Sequence, residues 1–287
     1  MKKKKIKRKV ILIFSLLILI AISGFILKGL LDHEVVSADE NNINQSTIEV
    51  VTTSEPTMTP ISLPTELPQE GYAYDKPVPM SSKQDVSYLD DAVFIGDSRV
   101  EGFIQNNSLA NVKAFTHKGL NVNMVMLEPI INLDGKMLSI MDAMRNTNFS
   151  KVYLMMGINE MGWVYSDIFF QKYGQIIDEI KTINPDADIY IQSILPVSNE
   201  VSSTHEYINN DKIIEFNQQL QQLAKEKQVY YLNIYEVMVQ EDHSLPADAA
   251  FDGIHLKKEY CEIWLDYLLS HTVVKEEQHE EVIDGTN

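Results

Sequence analysis

Ser98 has the residue type and the position that nucleophilic catalysis requires. It follows four apolar residues and a Gly-Asp pair, and this order predicts a buried strand, a tight turn and the start of a helix. Open α/β sheets bind ligands at the carboxyl ends of their strands, and the free N–H groups of a helix N-terminus favour an anion. A serine nucleophile needs this geometry, because its reaction passes through an oxyanion. For this stretch alone, the alternative is that Asp97 or Ser98 only caps the helix.

One loop, Asp252-Gly253-Ile254-His255, offers the base and the orienting group that a hydrolytic serine needs. His255 would accept the serine proton, and Asp252 would orient the imidazole. The structural alternative is an Asp-Gly turn beside a helix start. His205 is a second candidate base, but no carboxylate stands at a fixed offset from it. Asp and His also bind Zn²⁺, yet the sequence has no companion His-x-x-x-His or Cys pair, so we expect no metal and no cofactor.

Two further loops offer donors for an oxyanion. Gly157-Ile158-Asn159-Glu160 follows the third predicted strand, and the Asn159 amide can donate to a negative oxygen. Gly119 follows the second predicted strand, where a glycine lets backbone N–H groups approach a ligand closely. Ordinary glycine turns are the alternative for both loops. Because these loops and those of Ser98 and His255 each follow a different strand, we expect them to meet at one edge of the sheet.

The residues beside these loops provide candidates for lining a substrate site. Trp163 and Tyr165 follow the Asn159 loop and could stack on a sugar ring, with ordinary packing as the alternative. Arg99 could meet an anionic substrate, and an exposed helix position is the alternative for it. Glu160 is the fourth candidate.

Five apolar segments supply the strands that must position these residues. The predicted strands are residues 92–95, 112–115, 152–156, 189–193 and 229–234. Helical patterns separate them, and the clearest has an apolar face made by Phe169, Tyr173, Ile176, Ile180 and Ile183. Asn184-Pro185 should end that helix. Strands that alternate with helices predict a parallel sheet covered on both faces.

Charge and composition exclude some classes of protein. The chain has 287 residues, 45% of them hydrophobic, and a formal net charge of −17. Seven positive charges fall within the first nine residues, so the remainder is strongly acidic and unsuited to binding nucleic acid. The single cysteine, Cys261, lies in an apolar-flanked run and is expected in the core.

The first 85 residues are organised differently from the rest. Residues 1–9 are basic, and residues 10–27 are almost wholly apolar, which predicts a single membrane-spanning helix with a cytoplasmic N-terminus. A cleaved signal peptide is the alternative, with Val36-Ser37-Ala38 as the cleavage site. Residues 28–85 hold six of the ten prolines and predict a disordered extracytoplasmic linker. Two regions should follow the linker, a globular domain over residues 86–270 and an acidic tail over residues 271–287.

The sequence resembles the SGNH (GDSL-type) hydrolases over residues 86–270. The resemblance rests on four blocks in the family's order: Gly96-Asp97-Ser98, Gly119, Gly157-Ile158-Asn159-Glu160 and Asp252-Gly253-Ile254-His255. It implies a flavodoxin-like three-layer α/β/α fold with a five-stranded parallel sheet. It also implies that Ser98 is the nucleophile, that His255 is its base and that Asp252 orients the base. The implied oxyanion donors are the backbone N–H groups of Ser98 and Gly119 and the side chain of Asn159.

Two positions depart from the usual pattern of that family. Arg99 stands where leucine is usual, which leaves the nucleophile untouched. Glu160 stands where aspartate is usual, so the neighbouring Asn159 is kept but its loop is expected to be braced differently.

These features predict a membrane-tethered, extracytoplasmic serine esterase that removes acyl groups, acetyl above all, from a cell-wall or surface glycan. A small acyl ester is the alternative substrate. Two other functions stay open: a non-catalytic surface module with the same fold, and an O-acyltransferase that passes the acyl group from Ser98 to a sugar hydroxyl. Loss of activity in Ser98→Ala would exclude the first, and acetyl incorporation into glycan would identify the second.

Overall fold

A five-stranded parallel sheet lies at the centre of this computed structural model, which describes residues 73–273. The strands of this part of the chain are β1 (Ala92–Gly96), β2 (Lys113–Thr116), β3 (Ile131–Leu133), β4 (Lys136–Leu138), β5 (Lys151–Met155), β6 (Asp188–Gln192) and β7 (Tyr230–Leu232). The main sheet has the order β2-β1-β5-β6-β7, and all its pairs are parallel. The five predicted strands are confirmed, with ends that differ by one or two residues. The antiparallel hairpin β3–β4 has no counterpart among the predicted elements.

Helices follow the strands and cover the sheet. Those of the described residues are α1 (Ser98–Asn106), α2 (Val122–Leu127), α3 (Ile140–Arg145), α4 (Ser166–Ile183), α5 (Asn199–Thr204), α6 (Asn210–Lys227), α7 (Tyr235–Met238) and α8 (Lys258–Ser270). Short 3₁₀ turns occupy Val86–Leu89 and Ile158–Glu160. Helix α4 buries the predicted apolar face and has Asn184 as its C-cap, directly before Pro185.

Each face of the sheet has its own apolar core, because successive strand residues point to opposite sides. On one face, Val93 and Val152 pack with residues of α2, α3, α4 and α6. On the other face, Phe94 and Tyr153 pack with residues of α1, α7 and α8. The result is a three-layer α/β/α arrangement, as the resemblance to the SGNH hydrolases implies.

Four aromatic rings form a ladder across the second face. The strand register pairs Phe94 with Tyr153, Tyr153 with Tyr190, and Tyr190 with Tyr230. The ring centroids are 4.7, 4.8 and 5.0 Å apart in the same order. Aromatic pairs at such separations add about 0.5–1.5 kcal/mol each beyond the burial of their area. Tyr74 extends the ladder past the edge strand, with its ring centroid 5.5 Å from that of Tyr230.

Residues 73–85 form a segment that we name the N-terminal strap, and it packs against the domain although the sequence pattern assigns it to the linker. Val78 is buried and donates its N–H to the carbonyl oxygen of Tyr231 at 2.9 Å, on the free edge of β7. Further along, Ser81 donates to the carbonyl of Ser270 at 2.7 Å. The strap therefore makes backbone hydrogen bonds with β7 and α8 from positions before residue 86.

Several predicted regions lie outside the described residues. These are the basic segment 1–9, the membrane helix 10–27, linker residues 28–72 and tail residues 274–287. Between residues 73 and 273, no helix combines the length and the hydropathy that a membrane span requires.

Candidate active site

Ser98 is the first residue of α1, two positions after the last residue of β1. Gly96 makes this turn possible, since a Cβ at that position would lie only 2.2 Å from Val100 Cγ2. Asp97 is the N-cap, and its Oδ1 accepts the backbone N–H of Arg99 at 2.9 Å. Because Asp97 caps the helix, the hydroxyl group of Ser98 is left for another partner.

That partner is His255, and the contact continues to Asp252. Ser98 Oγ lies 2.9 Å from His255 Nε2, and His255 Nδ1 lies 2.7 Å from Asp252 Oδ2. Asp252 Oδ1 accepts the backbone N–H groups of His255 at 2.8 Å and of Ile254 at 3.0 Å. Partial burial alone would raise the pKa of Asp252, but these hydrogen bonds lower it below its ordinary value. An ionised Asp252 favours the tautomer with a proton on Nδ1, which leaves Nε2 to accept from the serine.

The loop that carries His255 rests on helix α5, an element that the sequence pattern does not predict. Ser198, the N-cap of α5, donates its N–H to the carbonyl of Gly253 at 2.9 Å. Gly253 has φ +79°, and a Cβ there would lie 2.2 Å from Ser198 Oγ and 2.7 Å from Val201 Cγ2. His205, the second candidate base, ends α5 and accepts the backbone N–H of Ile208 at 3.1 Å. It therefore organises its own loop, and the structure gives it no hydrogen bond to Ser98.

The two loops with candidate oxyanion donors meet beside Ser98. Gly119 has φ +74° and is exposed, with open space where a Cβ would lie. Asn159 is exposed in the 3₁₀ turn, and its Nδ2 donates to the carbonyl of Leu120 at 2.9 Å. The same nitrogen lies 3.3 Å from Asp97 Oδ2. These two contacts use both amide protons, so donation to an oxyanion would replace the longer contact to Asp97.

Arg99 is not a substrate-lining residue, and the expectation of an exposed position is wrong as well. The residue is 3% exposed. Its Nη1 donates to the carbonyl of Leu195 at 3.3 Å, and its Nε lies 3.6 Å from Asp97 Oδ1. Arg99 precedes the buried Phe103 by four positions, so both residues lie on the inward face of α1. The Arg99 side chain therefore lies in the protein interior, next to Asp97, and not at the surface where a substrate would bind.

Glu160 is also buried, which overturns the expectation that it lines the substrate site. Its Oε1 accepts the backbone N–H of Val122 at 2.8 Å, and the side chain has no exposure to solvent. Burial, aided by the nearby carboxylate of Asp97 and opposed by the hydrogen bond from Val122, raises the pKa of Glu160 to about 7. Glu160 thus joins the loop of Asn159 to the loop of Gly119 from within the protein interior.

Trp163 and Tyr165 do lie at a surface that a substrate can reach. They line a groove of about 480 Å³, together with Asn123, Gly162, Val164, Ile168 and Lys172. Tyr165 is 66% exposed and Val164 is 87% exposed, whereas Trp163 is half-buried. The groove lies between the first turns of α2 and α4, and both helices begin on the side of the sheet where Gly119 and Asn159 lie.

Other chemistry-bearing residues lie elsewhere. Cys261 is buried in α8, and burial raises the pKa of its thiol, as is usual for a core cysteine. Within the described part of the chain, no group of three or more His, Cys, Asp or Glu side chains is arranged to hold a metal ion.

Comparison with known proteins places this fold and these motifs in a family. The model of the GDSL-like lipase/acylhydrolase family matches residues 94–260. A solved structure from Streptococcus pneumonia, which carries the name platelet activating factor, is 23% identical with a TM-score of 0.50, covering 64% of this chain and 87% of its own. A GDSL-like lipase from Bacteroides thetaiotaomicron is 18% identical with a TM-score of 0.47, covering 65% and 88%. A search of the curated proteins gave no match.

The first of these structures shows the same fold at low sequence identity. The family model carries the assignment, because the matched residues 94–260 are more than half of the 287-residue chain and contain Ser98, Gly119, Asn159 and both residues of the Asp–His pair. The chain therefore belongs to the GDSL-like lipase/acylhydrolase family, a family of acyl-ester hydrolases.

Proposed function

We propose that this protein is a serine esterase in which Ser98 is the nucleophile, His255 is the general base and Asp252 orients the imidazole. The observation that carries this proposal is the continuous chain of contacts from Ser98 Oγ to His255 (2.9 Å) and from His255 to Asp252 (2.7 Å). The position of Ser98 at the N-terminus of α1 supports it, since the helix dipole and free N–H groups favour a developing oxyanion.

The reaction has two halves. In the first, His255 Nε2 takes the hydroxyl proton as Ser98 Oγ attacks the ester carbonyl, and the tetrahedral oxyanion is stabilised by N–H donors of Ser98, Gly119 and Asn159. His255 then gives this proton to the leaving alcohol, and an acyl-serine remains. In the second half, His255 takes a proton from water, the hydroxide attacks the acyl carbon, and the proton returns to Ser98 as the acid leaves.

The exposure of the site supports hydrolysis as the fate of the acyl-serine. The side chains of His255 and Asp252 are 40% and 53% exposed. Water therefore has direct access to the base that must activate it. An acyltransferase would need to keep water away from the same group until its acceptor was bound.

The substrate that we propose is an acylated glycan whose sugar rings lie in the groove of Trp163 and Tyr165. Flat aromatic rings beside amide and ammonium groups suit a pyranose ring, which has apolar C–H faces and a polar rim; Asn123 and Lys172 supply the polar groups. Trp163→Ala and Tyr165→Ala should each raise KM for an O-acetylated polysaccharide about 2- to 10-fold, because a stacking contact contributes about 0.5–1.5 kcal/mol. Hydrolysis of p-nitrophenyl acetate should not change, and Val237→Ala in α7 is the control for loss of an exposed apolar side chain.

We also propose that the domain works outside the cytoplasm, held at the cell membrane by residues 10–27 with the N-terminus inside. The basic residues before the apolar segment and the proline-rich residues after it support this arrangement. Membrane fractionation of the full chain, with protease added to intact cells, provides the test. A chain that stays in the cytosolic fraction, or one released after cleavage near Ala38, would overturn the anchored form.

Active-site substitution of the full chain tests the esterase proposal itself. Ser98→Ala and His255→Ala should each lower kcat/KM for p-nitrophenyl acetate by at least about 10²-fold, because each removes a group that acts in the transition state. His205→Ala is the matched control and should keep the activity of the wild type. A fluorophosphonate should add to Ser98 in the wild type only. A wild type without activity and without this adduct would instead indicate a non-catalytic surface module.

A further inference from the structure

Glu160 connects the two loops that carry the proposed oxyanion donors. Its Oε1 accepts the N–H of Val122, the first residue of α2, at 2.8 Å. Val122 lies three positions after Gly119, and Glu160 directly follows Asn159. One buried side chain therefore links the backbone after the first donor to the loop of the second.

A second hydrogen bond links the same loops in the opposite direction. Asn159 Nδ2 donates to the carbonyl of Leu120 at 2.9 Å, while Glu160 accepts from Val122 two residues further on. Each bond comes from one of two consecutive residues, so the pair fixes both the distance and the angle between the loops. With the bond of Glu160 removed, the bond from the Asn159 amide to Leu120 would still link the loops, but that amide is itself a proposed donor.

The N–H of Val122 has no partner within its own helix. The first N–H groups of an α-helix lack intrahelical acceptors, and the N-cap side chain of Asn121 accepts from Asn123 instead. Val122 is buried, so its N–H needs a partner from the protein, and Glu160 provides it. The contact is thus fixed by an unmet hydrogen-bonding need on one side and a buried carboxyl group on the other.

We propose that Glu160 is a positioning residue for catalysis: its carboxyl group holds the Gly119 loop at the distance from Asn159 at which both can donate to one oxyanion. This inference rests on the proposed esterase function. Oxyanion donors act only over a narrow range of distances, and a displacement of about 1 Å can cost about 10²-fold in rate. Aspartate at this position would be shorter by one carbon–carbon bond, about 1.5 Å, and would not reach Val122 without moving a loop.

The test measures kcat, KM and amide exchange in three variants of the full chain. Glu160→Ala should lower kcat for p-nitrophenyl acetate at least tenfold with little change in KM, and should raise hydrogen exchange of the Val122 amide at least tenfold. Glu160→Gln keeps a carbonyl oxygen for Val122 and should keep at least half of kcat and the slow exchange. Glu160→Asp should lose kcat although it keeps the carboxyl group. The matched control is Glu128→Ala, which removes an exposed carboxylate at the other end of α2.

The outcomes separate this inference from the esterase proposal. If Glu160→Ala keeps kcat within twofold while its Val122 amide exchanges freely, Glu160 does not position the donors. If Glu160→Gln loses kcat as fully as Glu160→Ala while the amide stays protected, the hydrogen bond is not what matters, and the inference fails. If Glu160→Ala does not fold, the comparison of Glu160→Asp with Glu160→Gln decides. An inactive wild type with a protected Val122 amide refutes the esterase proposal and the positioning role together. An active wild type in which Glu160→Ala keeps kcat, or Glu160→Gln loses it, refutes the positioning role alone.

Discussion

Replacing Gly253 by alanine should damage both the stability and the activity of this protein, and the structure separates two causes. The backbone at Gly253 has φ +79°, a conformation that costs an L-residue about 1–2 kcal/mol. The new Cβ would also lie 2.2 Å from Ser198 Oγ and 2.7 Å from Val201 Cγ2, so α5 or the loop must move. Forcing extra carbon into packed space costs about 1–3 kcal/mol. The expected loss is about 2–5 kcal/mol in the free energy of unfolding.

Gly135→Ala is the matched control for the backbone term. Gly135 has φ +81°, and no atom lies within 4 Å of the position that its Cβ would take, in the turn between β3 and β4. It should lose only about 1–2 kcal/mol. The difference between the two variants isolates the steric cost of the contact between the loop of Gly253 and α5.

Urea unfolding and thermal melting measure these losses, and hydrolysis of p-nitrophenyl acetate measures the effect on the site. For a domain of this size, about 1 kcal/mol corresponds to a shift in Tm of about 2–4 °C. Gly253→Ala should also lower kcat/KM at least about tenfold, because displacement of Asp252 and His255 breaks the alignment with Ser98. Gly135→Ala should leave kcat/KM unchanged. Equal losses of stability in the two variants, or full activity in Gly253→Ala, would refute the argument.

Three further predictions concern stability. Burial raises the pKa of Glu160 from its ordinary value of 4.5 to about 7, so the unfolded chain releases this proton at lower pH than the folded chain does. The free energy of unfolding of the wild type should therefore fall by roughly 3 kcal/mol as the pH rises from 4.5 to 7. Glu160→Gln should lack this loss in urea titrations at pH 5 and pH 8, and an equal pH dependence would contradict it. Asn217→Ala should lower the free energy of unfolding by about 2–4 kcal/mol, since this side chain accepts the N–H of the buried Ile194 at 2.7 Å and donates to its C=O at 2.9 Å. Gln218→Ala, which changes an exposed neighbour, should cost almost nothing in the same thermal melting experiment. Val78→Ala should lower the Tm through lost burial of the N-terminal strap but leave kcat unchanged, and a drop in kcat would show that the strap acts on the site.

The strands and the main candidate residues could be predicted because their signals are local. Ser98, Gly119 and Asn159 follow their strands within four positions, as Ile95 is followed by Gly96, Asp97 and Ser98. Parallel strands then place these residues at one edge. His255 lies 23 positions after the end of β7, beyond α7, and comes within hydrogen-bond distance of Ser98 although 157 positions separate the two. Fold and candidate chemistry thus follow from a repeated short pattern.

Burial of the polar side chains could not be predicted in the same way, because distant residues determine it. Arg99 meets a carbonyl 96 positions away, and Glu160 meets an N–H 38 positions away. Arg99 did have a local signal, since its spacing of four from Phe103 places it on the inward face of α1. Glu160 lies in a three-residue turn that has no periodic pattern to indicate its direction. The contact between Ser198 and Gly253 likewise joins two loops with no shared signal.

The N-terminal strap determines how a mechanical load would reach the catalytic domain. Its backbone hydrogen bonds follow one another along the chain, from Val78 to the edge of β7, then from Ser81 and Gln84 to the end of α8. A pull through the preceding chain would break them one at a time, each resisting with about 1 kcal/mol, before any tension reached β1. Under the proposed membrane anchoring, the hydrogen bonds of the strap would therefore break before those of the sheet. The strap would peel and re-form under load while the strand that carries Ser98 keeps its place.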